Sequence, residues 1–485
     1  MFHIFIFLIV PLLAASFSFI IDAALKWLAS NASPTSKKAL LNKLLDNNHR
    51  LEDRHEVALV FSKLVEQDGA GSWPPKANHD TSLWPASLRP YSEIYHEMSP
   101  LLPSLKPSLD GEANIKRIKN FRGLMREKLA KRVKIAQVQD ILTGFEESSF
   151  KNAQSQATLA QDTYNAFYCC IAMLRHAYRW AIIPAVTVAQ LETVIDIPAE
   201  LVTPWAFLQC RFGLRSEGSN ITTNFLHNFT SKGDYVFKIN VGMPDHIQRA
   251  EELFARMFHE IEGLALPIYF EMVQAITSFD RGDKASTLRH VENVNVQLRE
   301  GLCVFYEQMH DGRVPKAVWM SYVQGFQAWG VGRIDDASGE FTKDGGLSGS
   351  HLLLFQAVDA FLGMGRYLSA ADFTRFVPKR QRDLCDALRR HTPRNVLKLS
   401  GSLYEKAGGE TRDLDARIAS AFKQIADRMR VFRAAHRTRV MPYLKQPAPE
   451  RVLMTAGKSV LEETTLEEAL RPLDMLLVER LNQTM

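Results

Sequence analysis

The protein has 485 residues, of which 46% are apolar and 23% are charged. These fractions are close to the average for globular proteins, which argues against a disordered chain, a collagen-like chain and a membrane protein with many spans. Lys and Arg (59) exceed Asp and Glu (54) by five, and this small, dispersed excess argues against a nucleic-acid partner.

The N-terminus begins with an apolar run at residues 4–20, which Asp22 and Lys26 follow. The run is short for a transmembrane helix and contains Pro11, and it lacks the basic residues that usually precede the apolar part of a signal peptide. Three interpretations remain, namely a membrane tether, a cleaved signal peptide, or a buried helix or wrongly chosen start. We predict a cytoplasmic protein that this run can tether to a membrane.

After residue 30, apolar side chains recur at three- and four-residue intervals in most segments, for example at 159–183 and 284–309. Apolar and polar residues seldom alternate over five or more positions, so the sequence predicts an all-α fold. Gly, Pro and small polar residues cluster at 69–107, 216–245 and 334–350, where we expect loops.

These breaks predict four regions. The first is the apolar N-terminal segment (1–30), and the second is a small helical domain with a loop-rich insertion (31–240). A larger helical domain (241–445) and a C-terminal extension (446–485) follow.

The segment at 413–444 carries the most informative pattern. Apolar residues at three- and four-residue steps define one helix face, and His436 occupies a position on that face, one turn after Arg433. A buried imidazole needs partners for its ring nitrogens, and a buried guanidinium needs an anion. A haem can supply both, through its iron and a propionate. The alternative is a core histidine that is hydrogen-bonded to a carbonyl, with Arg433 reaching solvent.

Other chemical motifs are missing from the sequence. The five cysteines form no Cys-x-x-Cys pair, so we predict reduced thiols in a core and no zinc site. His259 and Glu260 begin a His-Glu-x-x-His motif, but Gly263 stands where the second histidine would be.

The segment at 413–444 resembles the proximal helix of the indoleamine 2,3-dioxygenase family. In that family an arginine precedes the haem-ligating histidine by three residues, as Arg433 precedes His436 here. The chain is similar to a divergent, fungal-like member, and the resemblance extends over residues 155–445.

Three further segments contribute to the resemblance, in the order of the family. Residues 345–350 (GGLSGS) with the following 355–363 resemble its glycine-rich loop and the helix after it. Residues 375–382 (RFVPKRQR) resemble its Arg-Tyr-Met-Pro-Pro-x-His-Arg segment, and 254–267 are similar to its distal helix.

The resemblance implies two helical domains, of which the larger, C-terminal one encloses a b-type haem. It implies that His436 is the proximal iron ligand, that Arg433 pairs with a haem propionate and that Asp359 holds this arginine. Ser348 is expected to donate to a propionate or to the substrate amine. The loop that contains Gly346 is expected to cover the haem edge and the substrate. The alternatives, if the resemblance is set aside, are that Asp359 is a solvent-exposed carboxylate on a helix and that the loop is an ordinary glycine-rich surface connection.

The resemblance also implies the walls of a substrate pocket. Phe254 is expected to press on the substrate ring, with simple core packing as the alternative, and Phe258 is expected to face the iron. Thr203 and Phe207 are expected on the far wall.

Val323 departs from the family pattern. Tryptophan-cleaving members place there an arginine that binds the substrate carboxylate, and losing such a bidentate pair costs about 2–4 kcal/mol. Either Arg256 or Arg333 replaces it, or the substrate is not free L-tryptophan.

The expected function is a haem-dependent dioxygenase. It would insert O2 across the indole C2=C3 bond of L-tryptophan or an indole derivative, giving a product of the N-formylkynurenine type, in tryptophan catabolism or secondary metabolism. An electron donor would keep the iron ferrous. Two alternatives remain, a haem oxygenase of the same fold with a different aromatic substrate and a non-catalytic haem-binding or scaffold protein.

Overall fold

The computed structural model describes residues 34–444 except for a few short gaps, and three pieces of the C-terminal extension. The gaps are at 107, 149–153, 335–338, 340, 344, 367 and 401–408, and the C-terminal pieces are 454–455, 458–459 and 478. The tether predicted at 4–20 therefore lies outside the described residues. None of the described helices combines the length and the apolar character that a membrane span requires.

Helices dominate the described chain, which confirms the all-α prediction. Eight α-helices precede residue 220: α1 (Pro34–His49), α2 (Glu56–Lys63), α3 (Arg89–Met98), α4 (Gly111–Arg132), α5 (Ile135–Ser148), α6 (Gln154–Trp180), α7 (Thr187–Gln190) and α8 (Ala199–Phe212). Short 3-10 and π turns lie between them or follow them: Leu64–Asp68, Thr81–Leu83, Ser99–Leu101 and Thr222–Leu226.

The second half of the chain contains the longest helices. Its α-helices are α9 (Asp245–Asp280), α10 (Lys284–Gln308), α11 (Lys316–Val318), α12 (Gly325–Gln327), α13 (Leu353–Phe361), α14 (Ala370–Phe376), α15 (Lys379–His391), α16 (Pro393–Ser400) and α17 (Gly409–Leu444). A π turn (Trp319–Gln324) separates α11 from α12, and a 3-10 turn (Gly349–His351) precedes α13. Two short antiparallel hairpins pair β1 (Gly332–Ile334) with β2 (Phe341–Lys343), and β3 (Met454–Thr455) with β4 (Lys458–Ser459).

Helices α9 and α10 pack along their lengths, and α10 packs in turn against α17. The turn between α9 and α10 has only three residues, 281–283, and Gly282 adopts a φ of +77° there, which glycine tolerates best. Asp283 then caps α10, because its side chain accepts a hydrogen bond from the Ser286 amide at 3.0 Å. Local sequence therefore fixes where this hairpin reverses.

The buried apolar residues form two clusters. The first joins α9, α10, α13 and α17 with α2 and α15, and the second is built mainly on α3, α4, α6 and α8. Helix α2 belongs to the stretch predicted as the small domain, yet it packs in the first cluster. The domain boundaries at 240 and 445 stay predictions.

Candidate cofactor and substrate cavity

A partly open cavity of about 200 Å³ lies in the first cluster, beside α9, α10 and α17. Its lining is mostly apolar and aromatic: Phe225, Phe254, Met257, Phe258, Ile261, Phe305, Met309, Trp319, Ala328, Leu347, Gly349, Phe355, Met429, Phe432, Val440 and Leu444. The polar lining residues are Gln324, Gln327, Ser348, Ser350, Gln356, Asp359, Arg433 and His436. This volume exceeds the roughly 150 Å³ of an apolar cavity that holds a benzene ring.

His436 lies on α17 and faces the cavity. Its ring packs against Phe305, with 5.2 Å between ring centroids, and against Phe432. Neither ring nitrogen has a hydrogen-bond partner among the described residues. Burial lowers the pKa of His436 to about 4, because the imidazolium would lose its hydration. At neutral pH the ring is therefore uncharged, with a lone pair that can bind a metal.

Arg433 is buried one turn before His436 and also lines the cavity. Its Nη2 donates to Oδ1 of Asp359 on α13, at 2.5 Å. Its Nη1 is buried and has no hydrogen-bond partner among the residues that the structure describes. Because an unsatisfied buried donor costs about 1–3 kcal/mol, this N–H favours an acceptor within the cavity. Arg433 is buried and does not extend into solvent, contrary to the alternative interpretation of the sequence.

Glu262 fixes the relative position of α9 and α13. Its buried carboxylate accepts hydrogen bonds from the Leu354 amide (2.8 Å), from Trp73 Nε1 (2.6 Å) and from the Tyr269 hydroxyl (2.9 Å). Burial raises the pKa of Glu262. The carboxylate satisfies an amide at the start of α13, where helices lack internal acceptors, and so holds the helix that carries Asp359.

Ser348 lines the cavity and caps the 3-10 turn before α13. Its Oγ accepts from the Ser350 amide at 3.4 Å, while its own amide donates to Nδ1 of His351 at 3.2 Å. The His351 ring stacks on Phe376, with 4.8 Å between centroids. The loop is therefore held by its own hydrogen bonds and by a buried aromatic pair.

Gly346 is buried behind the lining and is not itself a lining residue. A Cβ at this position would lie 2.7 Å from Ala328 Cα, from the Gln327 carbonyl oxygen and from the Trp329 amide nitrogen. All three are backbone atoms that cannot turn aside, so only glycine allows the loop to pack this closely against the segment after α12.

An aromatic wall faces α17 across the cavity. Phe258 stacks on Phe225 with 5.0 Å between ring centroids, and Phe254 meets Phe258 edge-on at 5.2 Å and Trp319 at 5.9 Å. The indole N–H of Trp319 is buried without a hydrogen-bond partner. The structure thus brings Phe254 and Phe258 into the cavity, as the resemblance implied, and adds two residues that sequence reasoning missed.

The two missed residues share a local feature that the sequence did not reveal. Phe225 lies in the π turn Thr222–Leu226 and Trp319 begins the π turn Trp319–Gln324. Such turns are frequent at functional sites, but tertiary packing rather than a sequence motif produces them.

Besides Gly346, three more predicted substrate residues, Val323, Thr203 and Phe207, are not among the lining residues. Val323 is buried beside the cavity, and its neighbour Gln324 lines it instead. Thr203 and Phe207 lie on α8, where Phe207 packs against the second cluster.

Arg256, one of the two candidate replacements for a carboxylate-binding arginine, does not line the cavity. Arg256 donates to the Gly233 carbonyl at 2.9 Å and to Glu252 at 2.6 Å, and it is not a lining residue. The side chain of Arg333 lies outside the described residues. Arg433 is therefore the only Lys or Arg that the described lining contains, and it is paired with Asp359.

No model of a known protein family matches this sequence, and no curated protein was found to match it. The functional argument accordingly rests on the chemistry of the cavity and on the residues quoted above.

Proposed function

We propose that this protein is a haem-dependent dioxygenase of the indoleamine 2,3-dioxygenase type, acting on the indole ring of L-tryptophan or an indole derivative. One observation carries the proposal. A single turn of α17 presents two groups to an apolar cavity: the imidazole of His436, to which no described residue is hydrogen-bonded, and the buried guanidinium of Arg433, whose Nη1 has no partner among the described residues. Because native structures satisfy nearly all buried polar groups, two such groups on one turn beside a cavity favour a bound ligand.

The polar residues of the cavity fit a haem. His436 is neutral at pH 7 and would ligate the iron, and Arg433 Nη1 would donate to a propionate. Asp359 already holds Nη2 and would keep the guanidinium oriented, as outer carboxylates do in metal sites. When bound, the haem would supply the redox chemistry that activates dioxygen.

The remaining lining residues would bind and orient the substrate. Phe254, Phe258 and Phe225 line the cavity and offer ring faces and edges against which a flat indole can pack. Trp319 Nε1 supplies one hydrogen-bond donor to a polar substituent. The apolar walls exclude water from the reacting ring. The only carboxylate in the described lining, Asp359, pairs with Arg433, so no side chain is assigned as general base.

A second candidate is a haem oxygenase with an uncharged aromatic substrate. The charged residues of the lining favour this candidate. Arg433 is already paired with Asp359 and would also bind the haem propionate. Val323 is apolar and does not line the cavity. The free carboxylate of tryptophan would then have no cation of its own among the described lining residues.

Spectroscopy and product mass test both candidates. The full-length protein should show a Soret band after haem reconstitution. With a reductant and O2 it should then add two oxygen atoms to L-tryptophan. Turnover of indoles without a carboxylate, and not of L-tryptophan, would select the second candidate. Absence of the Soret band would contradict both and leave a scaffold protein.

A further inference from the structure

A second set of metal-binding side chains lies outside the cavity, where three helices meet. His55 caps the start of α2, Asp280 ends α9 and His391 ends α15. The nearest ligand atoms of the three residues all lie within 4.8 Å of one another. His55 Nε2 is 2.7 Å from Asp280 Oδ2, across 225 positions of sequence. Tertiary folding alone therefore brings this cluster together.

The two imidazoles are positioned by carboxylates. Their rings meet edge-on with 4.9 Å between centroids. His391 Nε2 is 2.9 Å from Oε2 of Glu56, whose other oxygen accepts from Arg390 at 2.5 Å. We assign the proton of His391 to Nε2, which donates it to Glu56, and its Nδ1 then keeps the lone pair. A carboxylate that orients a ligating imidazole is a regular feature of metal sites.

We propose that His55, Asp280 and His391 form a zinc site. Two imidazole nitrogens and one carboxylate oxygen are a ligand set that zinc prefers, and a water can take the fourth tetrahedral position. Zinc bonds of about 2.0–2.2 Å place tetrahedral ligand atoms about 3.4 Å apart, so His55 and Asp280 must separate from 2.7 Å while ligand atoms at spacings up to 4.8 Å approach one another. Asp280 and His391 can make these shifts because their side chains are 44% and 32% exposed.

Zinc binding requires a change of tautomer at His55. In the structure Nδ1 of His55 accepts from the Val57 amide at 3.1 Å, so its proton lies on Nε2 and is donated to Asp280. With zinc on Nε2 the proton must move to Nδ1 through solvent, and the Val57 amide loses its acceptor. Zinc binding would therefore break the cap that His55 forms with the Val57 amide and the hydrogen bond from His55 to Asp280. In exchange, the metal would connect α2, α9 and α15.

Zinc titration of the chelator-treated, untagged full-length protein tests this site. A competing chromophoric chelator should report one zinc per chain, and zinc should raise the melting temperature. His391→Ala should abolish both effects, and Glu56→Gln should weaken affinity by roughly 10-fold, as outer carboxylates do. Asp280→Asn, which keeps the size of the side chain, should also weaken binding if His391→Ala fails to fold.

The exposed cluster of His49 with Glu52 and Glu66 supplies the matched control, since it offers one imidazole and two carboxylates. His49→Ala should leave zinc affinity unchanged. The proposal is overturned if wild-type protein binds no zinc at micromolar concentration, if affinity survives both His391→Ala and Asp280→Asn, or if His49→Ala abolishes it. None of these residues lines the cavity, so the result is independent of the haem proposal.

Discussion

Two histidines, His176 and His436, have pKa values lowered to the same extent but opposite surroundings. Burial lowers the pKa of both His176, on α6, and His436, on α17, to about 4. His176 Nδ1 donates to the Phe326 carbonyl at 2.8 Å, and its Nε2 lies 2.8 Å from the Ser219 hydroxyl. The described residues offer no such partner to His436. Burial sets the charge of each ring, but only the partners separate a structural histidine from one available to a ligand.

Two buried arginines repeat the contrast. Arg179, in the second cluster, donates from Nε to the Trp329 carbonyl and from Nη1 to the Ala189 carbonyl, both at 2.9 Å. Arg433, at the cavity, keeps Nη1 without a partner. Because native interiors satisfy nearly all buried donors, the unpaired Nη1 distinguishes Arg433 from Arg179.

The largest expected effect is on haem binding. His436→Ala should remove the Soret band of the reconstituted protein, because no other described lining residue offers an imidazole or a thiol. His176→Ala should retain the band. Absorption spectra of both variants after identical reconstitution measure this difference. A Soret band of normal intensity in His436→Ala would remove His436 as the iron ligand.

Next in size is the cost of breaking the buried ion pair. Asp359→Ala leaves the Arg433 charge buried and unpaired, and we expect it to lower the free energy of unfolding by about 3–5 kcal/mol. The exposed pair of Lys423 and Asp427 on α17, at 2.9 Å, is the control, and Asp427→Ala should cost at most about 0.5 kcal/mol. Urea denaturation of the haem-free proteins measures both. Equal losses would mean that Arg433 finds another partner or reaches water.

His176→Ala should destabilise the haem-free protein by about 2–4 kcal/mol, because it creates a cavity and removes one of the two hydrogen bonds that the Phe326 carbonyl accepts. His436→Ala should cost less, since its ring gives up no hydrogen bond. A larger loss in His436→Ala than in His176→Ala, measured by urea denaturation, would reverse the comparison.

The stabilisation by His176 should also depend on pH. Its pKa is about 6.5 in the unfolded chain and about 4 in the folded one, so the unfolded state binds more protons between these values. The contribution is therefore complete above pH 6.5 and decreases by about 3 kcal/mol as the pH falls to 4. The stability difference between wild type and His176→Gln should shrink over this window. A constant difference would show that the ring is not buried in its neutral form.

The smallest expected effect is on the loop before α13. Gly346→Ala places a Cβ 2.7 Å from backbone atoms of Gln327, Ala328 and Trp329, and such overpacking costs about 1–3 kcal/mol. Gly349→Ala is the control, because its Cβ would meet only the Phe258 ring, at 3.3 Å. Thermal denaturation should separate the two variants, and equal melting temperatures would indicate a loop that shifts freely.

The sequence by itself determined that the chain is helical and that Arg433 and His436 lie on the same face of α17. The physical reason is that helix periodicity is a local property, so spacing along the chain fixes which side chains share a face. Resemblance, not spacing, suggested Phe254 and Phe258 on α9 as substrate-pocket residues. It also suggested Asp359 as the partner of Arg433.

Only the tertiary structure decided which elements surround the cavity. Phe225 and Trp319 enter from two π turns far apart in sequence, whereas Thr203 and Phe207 lie on α8 away from the lining. Side-chain partners across the fold, such as Phe326 for His176, depend on how distant helices pack, and no local pattern encodes them. That no described residue is hydrogen-bonded to the ring nitrogens of His436 could be determined only from the tertiary structure, because it depends on the positions of all neighbouring side chains.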